Sequence, residues 1–326
     1  MAFDYYVAWW NVENLFDVEN SPRRTEKLAR AIGADVVGWT PALLNRKVNQ
    51  LASVIAQMHG GTGPDLMGIC EVENDFVVDK LIARLNARLP NRQYSKVHAD
   101  TQDERGIDVA FVFDPKYFTA PPTEIFQHVV MRRTATREIL QVNFTTHRGR
   151  IWSVFGNHWP SRSGGQLESA GYRAIAGETL AYFHERELVV HGNATPALVM
   201  GDFNDEPFDA SLVYYALSTR QRPKVISGTS PRLWNLMWGP TGATEGTFYF
   251  ENLPNVLDQF LVNRNMVRPT SPIRALTATA DIIRFAGMSF PGDYPGPIPF
   301  GGMGSPVNQN GFSDHFPIGM VVRELN

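Results

Sequence analysis

The stretch PALVMGDFNDEP, residues 196–207, sets the terms for the whole chain. A run of small and apolar residues, Pro196 to Met200, stops at Gly201 and gives way to Asp202, Asn204, Asp205 and Glu206. That is the profile of a core strand ending abruptly in oxygen chemistry. A buried polar group without a partner costs roughly 2–7 kcal/mol, so such a cluster at a strand end needs a physical reason.

The same punctuation recurs along the chain. Strand-like runs are read at 5–12, 65–72, 107–114, 123–131, 138–147, 150–159, 196–204, 256–263 and 315–324. Several are continuous apolar runs rather than alternations, the pattern of strands covered on both faces. Helical stripes fall between them. Leu44, Val48, Leu51, Ile55 and Met58 recur at steps of three and four and predict a helix over 42–58. The segment 74–89 repeats the pattern after Asn74-Asp75, a start suited to capping, and a third helix is expected from about 166 to 188. Hairpins such as TTHRGRIW (145–152) make many neighbouring strands antiparallel. Many strands, few helices and no repeat predict two packed sheets with helices outside. No proline- or serine-rich linker divides the chain, so residues 1–326 are expected to form a single domain. The Gly- and Pro-rich segment 286–313 reads as a long ordered loop.

Composition narrows the function. Of 326 residues, 43% are hydrophobic, which is ample for a large core and excludes disorder as the main state. The formal charge of −3 gives no broad basic surface, so charge-driven non-specific DNA binding is not favoured. Cys70 is the only cysteine, which excludes an intrachain disulfide, and it sits in an apolar run as a core thiol. The N-terminus lacks the basic start and smooth apolar stretch of a signal peptide, and no run reaches the ~18 apolar residues of a membrane span. A cytoplasmic protein is expected, or a secreted one if a signal has been removed.

The chemistry gathers where the apolar strands end. Asn11 is followed by Glu13 and Asn14, and Glu71 by Glu73 and Asn74. Asn157 and His158 close one run, Asp202 and Asn204 another. Asp258 lies inside the apolar VLDQFLV, and Asp314-His315 precede the last strand. Each has an ordinary reading: an Asx turn for Asp202 and Asn204, a turn or cap for Asn11 and Glu71, a satisfied histidine for His158, a turn for Asp314-His315. Asp258 resists that treatment most, since a carboxylate inside a core strand must be paired, hydrogen-bonded or metal-bound. Converging carboxylates repel one another without a cation, and a hard oxygen donor set suits Mg²⁺, Mn²⁺ or Ca²⁺ rather than sulfur-held Zn²⁺. Histidines beside such a site can move protons or face a phosphate. The sum is the chemistry of metal-assisted phosphoester hydrolysis.

Taken in order, WNVENLFD, GICEVEN, RGIDVAFVFD, GNHWPSRSGG, VMGDFNDEP, VLDQFLV and GFSDHFPI resemble the endonuclease/exonuclease/phosphatase superfamily, the deoxyribonuclease-like fold, in a bacterial branch of uncertain substrate. The match runs from about residue 5 to 322, and GDFN followed much later by SDH is specific in combination. The resemblance implies an α/β four-layer sandwich of two mixed, mostly antiparallel sheets flanked by helices. It implies that Glu71 is the principal metal ligand, with Asn11 and Asp314 beside the metal. Asp202 would activate the attacking water and Asn204 would hold that water and a phosphate oxygen. His158 and His315 would contact the phosphate from two sides, Asp258 would set the tautomer and charge of His315, and Arg137 would lie near the phosphate. Asp108 is expected to orient His158. The cofactor expected is Mg²⁺ or Mn²⁺, with Ca²⁺ as an alternative.

The substrate stays open at this stage. A phosphodiesterase or nuclease acting on DNA or RNA is one reading, and the basic segments 21–30 and 130–137 are its candidate contacts. A phosphomonoesterase or phospholipid-type esterase is the second, with the apolar residues of 285–304 as its candidate surface. A non-catalytic module that kept the fold is disfavoured, because none of the matched positions is substituted. Oligomeric state is not legible.

Overall fold

The computed structural model describes residues 2–101, 105–131, 137–242 and 244–326. The main strands are β1 (Phe3–Leu15), β2 (Leu66–Val72), β3 (Ser95–Ala99), β4 (Asp108–Phe113), β5 (Ile139–Thr146), β6 (Ile151–His158), β7 (Ala197–Asp202), β8 (Asp258–Asn263) and β9 (Ile318–Glu324). The first sheet runs β9-β1-β2-β4-β3, with the short strands Ile273–Ala275 and Asp281–Ile282 on the far side of β9. The second runs β8-β7-β6-β5 and is extended at its edges by Leu233–Asn235, Ser218–Thr219, Phe118–Thr119 and Ile125–His128. Both sheets are mixed. Among the main strands, β1–β2 and β6–β7 are parallel and the other pairs antiparallel.

The two sheets stack face to face on a large aromatic and aliphatic core. Phe144 from the second sheet meets Phe111 and Phe113 from the first at ring separations of 5.8 and 5.3 Å. Two glycines let the sheets close up. A Cβ on Gly68 would lie 2.9 Å from Met200 Sδ of the second sheet, and one on Gly156 would lie 2.7 Å from Val109 of the first. Cys70 is fully buried here, and burial pushes its thiol pKa well above the usual value, so it packs as an inert core side chain.

Helices cover the outer faces. α1 (Pro41–Ile55) starts at Thr40, whose hydroxyl accepts from the Leu43 amide, with proline in the first turn. α2 (Asp75–Arg88) starts at Asn74, whose side chain accepts from the amides of Phe76 and Val77. Both bury one apolar stripe in the cluster that includes the first sheet. α3 (Gln166–Val190) covers the second sheet through Leu180, packed with Phe155, Val199, Leu212 and Leu261. The result is helix, sheet, sheet, helix.

The structure differs from the sequence reading mostly at edges. The first strand runs on to Leu15 rather than stopping near 12, and the expected strand at 123–131 shrinks to Ile125–His128. The strand Ser95–Ala99, the helix Glu26–Ile32 and the hairpin Phe248–Phe250/Leu253–Asn255 were not legible. Segment 286–313 folds over the sheet ends with only isolated bridges. Phe300 is fully buried against Trp39, while Phe290 and Tyr294 stay exposed. Among the described residues no helix is long and apolar enough to cross a membrane.

Candidate active site

Strand register builds the centre of the site. His158 of β6 pairs with Asp202 of β7, and Asp202 pairs with Asp258 of β8, so three polar side chains stand in one row across three strands. The first sheet reaches across to hold two of them. Trp9 Nε1 donates to Asp258 Oδ1 at 3.0 Å, and Asn11 Nδ2 donates to Asp202 Oδ2 at 3.0 Å. The site therefore lies between the sheets, at their edge.

Glu71 arrives by a break in pairing. The β1–β2 register shifts between Asn11 and Leu15, and the β2–β4 register shifts between Cys70 and Val72. Glu71 has a φ of 65°, and Glu13, Asn14 and Asn204 have φ values of 51°, 53° and 51°. Left-handed backbone costs a residue with a Cβ roughly 1–2 kcal/mol. Four such residues at one place are strain held by their surroundings, the pattern found at working sites. The bulge turns Glu71 toward the cleft. Its carboxylate accepts from Asn11 Nδ2 at 3.2 Å and from the Asn14 amide at 2.9 Å.

His315 enters from the loop before β9. Its amide donates to Ser313 Oγ (3.1 Å), and its carbonyl accepts from Trp10 Nε1 (2.8 Å), so its backbone is fixed on both sides. Its Nδ1 donates to Asp258 Oδ2 at 2.6 Å, and its Nε2 lies 3.9 Å from Asp202 Oδ2. Burial alone would lower its pKa, but Asp258 and Asp202 more than offset this and hold the imidazolium well above the usual range. His158 is the opposite case. Burial first, then the charges of Arg137, Arg105 and His315, push its pKa well below the usual value. Its Nε2 sits 3.6 Å from Glu71 and 3.7 Å from Asp202, and its buried Nδ1 has no hydrogen-bond partner among the described residues. One cleft thus holds a charged imidazole and a neutral one.

The carboxylates are held off balance. Burial raises Asp202 to about 6, against the pull of His315. Burial raises the half-buried Asp314 to about 7; His315 and Lys47 pull it down, Glu13 and Glu71 push it up. Asn204 donates its amide to Asp202 Oδ1 (2.9 Å) and its Nδ2 to the Trp159 carbonyl (3.0 Å), which sets it beside the row. Arg137 is buried rather than on the surface. It donates to the same Trp159 carbonyl at 3.1 Å, and its charge acts on His158.

Asp108 is a correction. It does not orient His158: it accepts from Thr101 Oγ1 (2.7 Å) and bonds His98 Nε2 (3.0 Å). The partner comes from β3, which pairs with β4 and fills the position that the expectation gave to His158. Of the basic residues in segment 21–30, Arg24 is withdrawn from the surface while Arg23, Lys27 and Arg30 are exposed. Arg24 is buried in a bidentate pair with Glu73 (2.7 and 2.8 Å), and Arg23 pairs with Asp17 over the Phe76 ring. Of segment 130–137, residues 132–136 lie outside the described residues.

Two residues to which the sequence reading gave no role join the site, Glu13 at a strand end and Lys47 on a helix. Glu13 accepts the amides of Phe300 (2.7 Å) and Gly301 (3.0 Å), which ties the long loop to the site. Lys47, on α1, is fully buried with Nζ 3.5 Å from Glu13 Oε2. A signal existed for it: position 47 falls inside the apolar stripe, three after Leu44 and four before Leu51.

The donor set fits a hard divalent ion. Five carboxylates, those of Glu13, Glu71, Asp202, Asp258 and Asp314, crowd a cleft whose own buried cations are Lys47, His315 and Arg137. Asp202, Asp258 and His315 bring potential ligand atoms within 4.8 Å of one another. The Asp258–His315 bond occupies one ring nitrogen, and an imidazolium has no lone pair to give, so this trio acts as an ion pair facing Asp202. Glu71 and Asp314 are then the carboxylates of this group whose oxygens could hold a metal.

A profile described as Endonuclease/Exonuclease/phosphatase family matches residues 6–324. A search of curated proteins found no match. Among solved structures, a mannosyl-6-phosphatase from Bacteroides thetaiotaomicron is similar at 15% identity and TM-score 0.55, covering 98% of this chain and 99% of that one. The catalytic domain of human Nocturnin is similar at 15% and 0.54, covering 99% and 96%. A humanized TDP2 from D. rerio is similar at 13% and 0.57, covering 98% of both chains. At these identities the structural likeness establishes the fold alone. The profile match over nearly the whole chain goes further: the chain belongs to the endonuclease/exonuclease/phosphatase family of divalent-metal-dependent enzymes and is a phosphoester hydrolase.

Proposed function

We propose that this chain is a metal-dependent phosphodiesterase that attacks phosphorus in line with water. The observation that carries the reading is the pair of unlike imidazoles around Asp202. Asp202, with a pKa near 6, is deprotonated at neutral pH and takes the proton of the attacking water. His315, kept charged by Asp258 at 2.6 Å, stabilises the charge that builds on the phosphate oxygens. His158 stays neutral and donates a hydrogen bond to the phosphate from the other side, and Asn204 orients the water. Glu71 and Asp314 would hold Mg²⁺ or Mn²⁺, with Asn11 fixing the Glu71 carboxylate, and the ion supplies Lewis acidity at the phosphate. A diester carries one negative charge, and a site with few cations facing it is better matched to that than to a dianionic monoester. DNA and RNA are candidate diesters. The burial of Arg24 against Glu73 removes one basic contact from the nuclease reading, while Arg137 lies close enough to His158 to act on its charge and stays a candidate for the phosphate.

A monoesterase is the second reading, favoured by the similarity to a protein named as a mannosyl-6-phosphatase. The two separate in one assay. Plasmid DNA, bis-p-nitrophenyl phosphate and p-nitrophenyl phosphate are incubated with Mg²⁺, Mn²⁺, Ca²⁺ or EDTA, with Glu71→Ala as control. EDTA-sensitive cleavage of the diester, lost in the variant, is expected. Cleavage of the monoester alone overturns the diesterase reading, and full activity in the variant overturns the metal assignment.

A further inference from the structure

Lys47 is an odd occupant of its position. It stands on the buried stripe of α1 between Leu44 and Leu51, and none of its surface reaches solvent. It therefore cannot touch a substrate. Among the described residues its Nζ has no hydrogen-bond partner; Glu13 Oε2 lies 3.5 Å away and the Phe300 ring 5.0 Å away. A buried ion pair with such sparse hydrogen bonding is poorly compensated, and an apolar residue of similar size usually stabilises a protein at least as well. Stability does not explain a lysine here. Its surroundings do. Its partner Glu13 donates its amide to Asn11 Oδ1 at 3.0 Å, and Asn11 Nδ2 donates to Glu71 Oε1 at 3.2 Å, so Lys47 lies behind the acidic cluster that faces the cleft. Burial lowers its pKa, and Glu13, Asp314 and Glu71 pull the other way and favour the ammonium. Glu13 in turn is occupied by two backbone amides of the 300–301 turn, which aim its charge at Lys47.

We infer that Lys47 is a built-in counter-cation, filling from inside the protein the place of a second divalent ion, so that the acidic cluster takes up one metal ion and not two. The inference rests on the metal-dependent reading of the site and adds a residue that sets its occupancy. Lys47 is thus a positioning residue, acting through Glu13 and Asp314 rather than on substrate.

The test counts ions, not turnover. Mn²⁺ is titrated into the purified, metal-free chain, and free Mn²⁺ is followed by electron paramagnetic resonance. One ion per wild-type chain is expected. Lys47→Met should bind a second ion, or hold the first at least tenfold more tightly. Glu13→Gln, which leaves Lys47 uncompensated, should weaken the single ion by a similar factor. The double variant should return to the wild-type curve. Two ions in the wild-type chain overturn the inference while leaving the metal reading intact, and no ion at all overturns both. Unchanged binding in Glu13→Gln overturns the inference even if Lys47→Met fails to fold, and so does unchanged binding in Lys47→Met.

Discussion

Two buried polar clusters sit on the second sheet, and they are finished differently. Under α3, Glu187 accepts from Ser153 (2.6 Å), Gln141 (2.7 Å) and Asn143 (3.3 Å). Gln141 Oε1 bonds His128 (2.7 Å), and Asn143 also donates to Glu124 (2.9 Å). This cluster closes on itself with side-chain donors shared between two carboxylates, Glu187 and Glu124. At the strand ends of the same sheet, Asp202, His158 and their neighbours stay open. Among the described residues His158 Nδ1 and Lys47 Nζ find no hydrogen-bond partner, two carboxylates are pushed toward neutrality, and four residues hold left-handed backbone. A polar cluster that satisfies itself is architecture. One left unsatisfied at this cost is held ready for something that binds.

The largest expected consequence lies in the open cluster. Asp202→Asn should lower kcat by about 10²–10⁴-fold, the range for losing a positioned general base. Its melting temperature should hold or rise, because a buried like-charge neighbour of Asp258 is gone. Steady-state kinetics beside a thermal melt check this; a loss confined to KM would contradict the chemical role given to Asp202. The closed cluster should answer in the opposite sense. Glu187→Leu takes one acceptor from each of Ser153, Gln141 and Asn143, which keep Asn143 Oδ1 or Glu124 as another, and should cost about 3 kcal/mol, at roughly 0.5–1.5 kcal/mol per lost hydrogen bond. Its kcat should stay near wild type at temperatures where it is folded. If urea denaturation shows no loss, or if activity falls in the folded variant, the distinction between the clusters breaks.

The smallest effect sharpens the comparison through pH. Asp314 titrates near pH 7 in the metal-free protein, far above a free carboxylate. Below that pH a bound proton must leave before a metal can enter. The apparent metal affinity should therefore fall as pH drops below about 7, by up to about tenfold per pH unit for one displaced proton, and level off above it. Isothermal titration calorimetry at pH 5.5 to 8.5 reads this directly. A flat profile would mean that Asp314 does not compete with the ion.

What could be read from the residues follows from which interactions are local. The core strands were legible because double burial demands an unbroken apolar run, and the three main helices because their stripes are long. Ser95–Ala99 was hidden because SKVHA is short and half polar, and with it went the true partner of Asp108. The polar residues that end the strands were legible as a set, since each interrupts a pattern. Their mutual distances were not, because Glu71 reaches the cleft by a bulge and left-handed backbone, which leave no mark in residue type. Lys47 did leave a mark, a charge inside an apolar stripe, but its meaning depends on Glu13 arriving from another element.

The row His158–Asp202–Asp258 has one more consequence. Its members occupy a single rung of the ladder, so their separation is set by backbone pairing at about 4.8 Å between strands and not by how side chains pack. A rung is a ruler with fixed graduations: it can slip by a whole residue or stay put, and nothing in between is available. The segment 286–313, tied to the site where Phe300 and Gly301 bond Glu13, has only isolated bridges and bears no such constraint. The fold thereby separates two kinds of inheritance, a catalytic spacing that cannot drift and a substrate rim that can be rewritten without disturbing it.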